Sequence, residues 1–274
     1  LTLDSEDIRR AVRLALDEDI GSGDVTSEAT IPANASATAV MIAREELVLA
    51  GIEFAEVAFA GCKSTPHLQD GERAAKGAKL LTVHGNTRAI LTAERVALNF
   101  VQRLSGIATL TRQFVEAVGG TRAKILDTRK TTPGWRKFEK YAVRCGGGEN
   151  HRFGLYDMVL IKDNHLAGLG GDIGGAVQAA RKKFPSLKVE VEADTLQQAA
   201  DAANAGADII LLDNMSPRDL RKAVTLVKGR CKTEASGGVT LDTVRAIAET
   251  GVDYISVGAI THSASAVDVG LDFE

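Results

Sequence analysis

Hydrophobic spacing changes character partway along the chain. After about Ala108, short apolar runs alternate with longer segments whose apolar residues recur every three or four positions. The runs at 124–127, 158–161, 189–192, 208–212, 231–235 and 253–257 predict strands. The segments 173–184, 196–205, 216–227 and 241–250 predict helices, the third with Ser216-Pro217 at its start. Regular β-α alternation in short units implies parallel strands covered by helices. The units are too few for a closed eight-stranded barrel. The expectation is therefore a partly open α/β barrel, with a doubly wound open sheet as the alternative.

The preceding hundred residues read as α+β. DSEDIRRAVRLAL predicts an amphipathic helix, capped by Asp4 or Ser5, with Ile8, Val12 and Leu16 on one stripe. DIGSGDVTS reads as a loop. ATAVMIAREELVLAG alternates and then turns, as a hairpin does, bending near Glu45-Glu46. GIEFAEVAFAG predicts a short helix, and HLQDGERAAKGAKLLTVHGN has the glycine-punctuated texture of strands. RAILTAERVALNFVQRLSG predicts a long helix, apolar over much of its surface. The pattern gives an N-terminal α+β domain over 1–107, ending in that helix, and an α/β barrel domain over 108–274. The C-terminal tail has room to return to the first domain.

Composition narrows the function classes. Of the 274 residues 45% are hydrophobic and 25% charged, as in ordinary globular chains, and aromatics are only 4%, so packing relies on Ala, Val, Leu and Ile. A net charge of -3 argues against a nucleic-acid binder, which carries a broad basic face. No apolar run is long enough to span a membrane. Cys62, Cys145 and Cys231 are odd in number and far apart. No CxxC occurs, so neither a disulfide framework nor a zinc site is expected, and a reducing cytoplasm is the expected compartment.

Against this acidic background, residues 125–165 crowd together Arg129, Lys130, Arg136, Lys137, Lys140, Arg144, Arg152 and Lys162. Barrels of this type place their active site at the C-terminal ends of the strands. Here VLI is followed by Lys162, VEV by Glu192, IILL by Asp213, TEA by Ser236-Gly237-Gly238 and YISV by Gly258-Ala259. Five consecutive strand ends that are charged or glycine-rich point to a site at that end. The glycine pair before Thr240 suits an anion cradle, although SGGVT also reads as a plain strand-helix turn. Glu192 and Asp213 suit a divalent cation or ribose hydroxyls, or else serve as caps and turn formers. Glu190 and Glu192 share one side of their strand, where Lys162 is a candidate partner. The segment 128–165 is expected at the barrel mouth. Arg129, Lys130, His151 and Arg152 suit a second anionic group such as a carboxylate. Arg136, Lys137, Lys140 and Arg144 recur at helical spacing and read as a solvated face.

LDTRKTTPGWRKFEKYAV followed by CGGGENHRFGLYDMVLIKDNH resembles the quinolinate phosphoribosyltransferase family. AERVALNFVQRLSGIAT, ADIILLDN, EASGGVT and DYISVGAIT resemble the same family in the same order, so the likeness covers nearly the whole chain. The resemblance implies an α/β N-terminal domain with a partly open α/β barrel, and a homodimer whose sites borrow residues across the interface. It implies Mg²⁺-dependent joining of quinolinate to phosphoribosyl pyrophosphate (PRPP), with release of pyrophosphate and CO₂. The product is nicotinate mononucleotide, in NAD biosynthesis. Carried over by motif, Arg95, Thr128, Arg129, Lys130, His151 and Arg152 would bind substrate, chiefly the quinolinate carboxylates. Lys162, Glu192 and Asp213 would meet ribose, pyrophosphate and metal, with Lys130 beside them among the catalytic residues. Ser236, Gly237 and Gly238, with Val257, Gly258 and Ala259, would cradle the phosphate. An aldolase using Lys162 as a Schiff base explains the phosphate cradle but leaves Arg129, Lys130 and Arg152 idle. An anion-binding module without turnover is the non-enzymatic alternative.

Overall fold

The computed structural model describes residues 3–274, which form two compact units. The first unit takes residues up to Arg112, then 132–147 and 263–274; the second takes 113–131 and 148–262. Compactness thus divides the chain discontinuously, whereas the sequence pattern suggests a single cut after residue 107.

The first unit opens with α1 (Ser5–Ile20) and α2 (Val25–Thr30), then β1 (Ser36–Ala43) and β2 (Leu47–Val48). It continues with α3 (Ile52–Ala58), β3 (Lys63–Pro66), β4 (Arg73–Ala74), β5 (Lys79–Asn86) and α4 (Thr87–Ala117), which lies in this unit as far as Arg112. After β6 (Lys124–Leu126) in the second unit, α5 (Arg136–Cys145) belongs again to the first. The barrel strands of the second unit follow: β7 (Val159–Ile161), β8 (Val189–Ala193), β9 (Ile209–Asp213), β10 (Lys232–Ser236) and β11 (Tyr254–Ser256). Between them run α6 (Asp163–Ala167), α7 (Ile173–Lys183), α8 (Leu196–Asn204), α9 (Pro217–Val227) and α10 (Leu241–Ala248). The short α11 (Ala259–His262) ends the second unit, and β12 (Val269–Phe273) returns to the first, where it pairs with β1.

Three local expectations for the first unit change. The segment expected to be a loop holds α2, because the Asp24 carboxylate accepts from Ser27 N at 3.0 Å and also from Thr92 Oγ at 2.9 Å. The expected hairpin does not form, since β1 pairs with β5 and β12 while β2 pairs with β4. Ala39, Val40 and Met41 are all buried, so β1 is an interior strand that needs partners on both edges. Eight-residue β5 offers a long ladder, and two-residue β2 does not. Nor is the face of α5 solvated throughout. Arg144 is exposed, but Glu139 and Lys140 are fully buried and Arg136 and Lys137 are half-buried. Residues 132–147, expected with the rest of 128–165, therefore fold with the first unit. Arg103 Nη2 lies 2.9 Å from Glu139 Oε1, and Thr132 donates to the same carboxylate from both N and Oγ, so the inward charge is neutralised where it is buried.

Few aromatics are available, and four of them meet in one cluster of the first unit. Phe54 stacks on Phe100 with centroids 4.7 Å apart, Phe100 stacks on Trp135 at 5.0 Å, and Phe138 meets Phe54 edge-on at 5.1 Å. The cluster ties α3, α4 and α5 together.

The second unit has one six-stranded sheet in the order β6-β11-β10-β9-β8-β7, parallel at every junction. From β7 to β11 each strand lies beside its predecessor in sequence, with no reversal. A doubly wound sheet requires a reversal, so that alternative is excluded. The order is that of a barrel with a seam between β6 and β7. At the seam Glu149 N donates to Ile125 O at 2.8 Å and Asp127 N to Glu149 O at 3.2 Å, so a single residue extends the ladder beyond β6.

Phe54 sits at the centre of the aromatic cluster with no exposed surface. Phe54→Ala is expected to destabilise the first unit by about 3–5 kcal/mol. Urea titration followed through Trp135, the sole tryptophan, checks this as a lowered midpoint.

Candidate active site

Alternation along the barrel strands selects the side chains of the site. Every second residue of a strand faces the same way. One face therefore carries Leu160 and Lys162 at the end of β7, Glu190 and Glu192 on β8, and Leu211 and Asp213 on β9. It continues with Glu234 and Ser236 on β10 and Ser256 on β11. All of these except Glu190 line one cavity of about 300 Å³, together with Thr128, Arg129, Lys130, His151 and Arg152.

Loops between strands supply the remaining cations, and hydrogen bonds fix them. Asp127, fully buried just after β6, accepts from His151 N at 3.0 Å and from Asn150 Nδ2 at 2.6 Å. Asp157 accepts from Phe153 N and Gly154 N, which closes the following turn, and Arg152 Nη1 donates to Met158 O at 3.2 Å. Lys130 N donates to Thr128 Oγ at 3.0 Å, and Thr261 Oγ donates to Lys130 O at 2.8 Å. A Cβ on Gly258 would lie 3.2 Å from Lys130 Cδ, so this glycine leaves room for the lysine stem.

The charges sort into two groups. Arg129 and Arg152 lie close enough to repel, and burial followed by Arg129 pushes the Arg152 guanidinium below its usual range. Such a pair calls for an anion. His151 Nε2 lies 2.9 Å from Glu190 Oε2 and 3.5 Å from Glu234 Oε2, and both acids are fully buried. The Glu234 carboxyl is pushed up to about 8 by burial and then by the neighbouring Glu190.

The second group is Glu192 and Asp213. Burial and then Asp213 raise the Glu192 carboxyl, and Lys162 opposes the shift. Burial and then Asp194 raise Asp213, opposed by Asn214, Ser236 and Lys130. Glu192, Asp194 and Asp213 each present an oxygen within 4.8 Å of the others. All three donors are carboxylate oxygens, the set a small hard divalent cation takes, and their mutual repulsion favours a cation among them.

Of the residues picked out in the sequence, Thr128, Arg129, Lys130, His151, Arg152, Lys162, Glu192, Asp213 and Ser236 line this cavity. Gly237, Gly238, Val257, Gly258 and Ala259 lie just beyond its lining strand ends, and Val257 is buried. Gly237 is left-handed at φ 99°, and a Cβ there would come within 2.1 Å of Asn214 Oδ1. Arg95 is exposed on α4 in the first unit. Lys162 bears on Glu192, whereas the partner of Glu190 is His151. Sequence reasoning missed Glu234, Asp194 and Ser256. The available signal for Glu234 was an acid in the middle of the short run TEAS, two residues before Ser236 and so on the same face.

Comparison with known proteins gives a consistent picture. The family models for the Quinolinate phosphoribosyl transferase N-terminal and C-terminal domains match residues 24–105 and 107–272. A protein of Bacillus subtilis described as a probable nicotinate-nucleotide pyrophosphorylase [carboxylating] is 45% identical over 93% of this chain and 89% of its own. The nicotinate-nucleotide pyrophosphorylase [carboxylating] of Mycobacterium leprae is 45% identical over 96% of both chains. The solved nicotinate-nucleotide pyrophosphorylase of Francisella tularensis superposes with a TM-score of 0.95 at 42% identity, covering 100% of this chain and 98% of that one. Two family models spanning nearly all the chain, and relatives close to it in length and sequence, establish that it belongs to the quinolinate phosphoribosyltransferase family.

Proposed function

We propose that this chain transfers the phosphoribosyl group of PRPP to the ring nitrogen of quinolinate. Pyrophosphate and the 2-carboxylate, as CO₂, are lost, and nicotinate mononucleotide is made for NAD biosynthesis. The observation that carries this reading is the sorting of charge in one cavity, with Arg129, His151 and Arg152 forming one group and Glu192 and Asp213 the other. The cations suit a dicarboxylate, and the acids suit a ribose ring that becomes positive as its leaving group departs.

Each side chain then has a role. Arg129, His151 and Arg152 hold the two carboxylates of the base, with Thr128 beside them. Lys130 and Lys162 face the phosphates of PRPP. Glu192 and Asp213 stabilise the positive ribose. The turns at Ser236, Gly237 and Gly238, and at Val257, Gly258 and Ala259, receive the 5′-phosphate on backbone N–H groups. Holding both substrates fixes the ring nitrogen against the anomeric carbon, and positioning of this kind supplies much of the rate. Once the bond forms, the cationic ring nitrogen stabilises the electron pair left on the adjacent C2 as CO₂ departs, and that carbon then takes a proton from water, so no Ser or Cys nucleophile is needed.

Mg²⁺ is the cofactor that suits Glu192 and Asp213, with Asp194 adjacent; when bound it neutralises charge on the pyrophosphate. The active assembly in this reading is a homodimer in which Arg95 of one protomer serves the site of its partner, consistent with its exposed position on α4. No helix among the described residues is long and apolar enough to cross a membrane. The three unpaired cysteines suit the reducing cytoplasm.

An assay with quinolinate, PRPP and Mg²⁺ that follows nicotinate mononucleotide tests the proposal. Nicotinate lacks one carboxylate and leaves a half-buried cation of the cavity, closed off by the bound base, without its anion, which costs about 2–5 kcal/mol. Its kcat/KM should fall roughly 30- to several-thousand-fold below that of quinolinate, and comparable turnover would overturn the substrate assignment.

Two carboxylates are weak ligands without a phosphorylated partner. Turnover should therefore require Mg²⁺, with little of the ion bound to the free protein in equilibrium dialysis. Full activity in excess EDTA counts against the metal.

Mixing inactive Arg95→Ala with inactive Lys162→Ala under conditions of subunit exchange tests the shared site. Half of the randomly paired dimers are mixed and carry one intact site of two, so activity should recover to roughly a quarter of wild type. Verified exchange without recovery rejects the sharing of Arg95.

A further inference from the structure

Asn214, immediately after β9, is the one non-glycine residue with a left-handed backbone among the described residues, at φ 52°. Asparagine tolerates this conformation better than most side chains, but glycine adopts it without strain. The position therefore keeps a side chain where a turn alone would favour none. What that side chain meets accounts for it. Its Nδ2 donates to Asp213 Oδ2 at 2.5 Å. Its Oδ1 lies where a side chain on Gly237 would stand, since a Cβ there would come within 2.1 Å of it. The glycine at 237 thus gives the amide its seat. Asn214 N donates to Ser236 O at 2.9 Å, and Ser236 is the register partner of Asp213, so the ladder between β9 and β10 runs one residue past Asp213 before the chain turns. Along an extended strand, alternation sends neighbouring side chains to opposite faces. The left-handed turn instead brings the Asn214 amide back onto the carboxylate of the residue before it.

We infer that Asn214 is a positioning residue whose amide, seated in the space left by Gly237, fixes the rotation of the Asp213 carboxylate toward the ribose. Asn214 is not among the residues that line the cavity and acts through Asp213, which is. An amide suits this task for a chemical reason. A lysine or arginine would hold the carboxylate as firmly but neutralise it, and its negative charge is what a ribose turning positive requires. The amide orients the acid and leaves its charge intact. The inference rests on the reading that Asp213 faces the ribose of PRPP.

Asn214→Gly tests it, because glycine meets the demands of the turn and removes only the amide. With quinolinate, PRPP and Mg²⁺ its kcat should fall about tenfold, the effect of losing one hydrogen bond to a charged group. The KM for quinolinate should change little, since His151 and Arg152 are held by bonds of their own. Asn214→Asp keeps the shape and tolerates the left-handed backbone, but sets a carboxylate oxygen against Asp213 where a donor stood. It should lose at least as much kcat as Asn214→Gly. In an Asp213→Ala background Asn214→Gly should cost little more, because the amide has lost the group through which it acts.

Far-UV circular dichroism and the KM for quinolinate, measured in each variant, separate loss of the amide from loss of the fold. Wild-type kcat in Asn214→Gly would make Asn214 a turn residue only and overturn the inference. So would an Asn214→Asp variant as active as wild type, or the same tenfold loss repeated in the Asp213→Ala background. A wild type that turns over no quinolinate with PRPP would overturn the reading of the cavity and this inference together, whereas the preceding outcomes overturn the inference alone.

Discussion

Burying acids inside a parallel sheet is unfavourable, and the second unit is arranged around that constraint. Alternation on β8 and β10 turns Glu190, Glu192 and Glu234 to the face that the cavity occupies. None of them can be left there alone. His151 is brought between two of the acids by the loop that Asp127 clamps, and Lys162 bears on the third. The cations that compensate the acids are thereby set in the wall of the cavity. A barrel with apolar residues at these three positions would pack more easily, but the His151 ring would then meet no acid.

The same logic of neutralisation at the point of burial recurs in the first unit for a structural purpose. Glu139 is fully buried on α5, and Arg103 together with Thr132 meets it. Around this pair the aromatic cluster of Phe54, Phe100, Trp135 and Phe138 closes the space between three helices. In the second unit the buried acids face a cavity. In the first, Glu139 meets an arginine and a threonine of the same unit.

The barrel was legible in the sequence because each of its units carries its own hydrophobic period, and each expected strand falls within a residue or two of an observed one. The strand-end charges were legible for the same reason, since the end of a strand is fixed once the strand is. What escaped notice depends on partners remote in sequence. The buried face of α5 looks like a solvated row of charge until Arg103, 36 residues earlier, is seen to lie against Glu139. Glu234 looks like one polar residue in a short strand until Glu190 and His151 arrive from two other segments. The misplaced hairpin has a similar origin: β1 finds a longer partner in β5 and another at the C-terminal end of the chain.

The seam between β6 and β7 leaves one edge of the sheet to be met by the backbone of Glu149, two residues before His151. Completing the sheet edge and delivering an imidazole to the cavity are thus done by one short peptide. A closed barrel would have paired that edge with another strand and left the loop to find its own position. Here the gap in the architecture gives the loop its anchorage, and the ladder hydrogen bonds lend a cavity side chain the constancy of a strand.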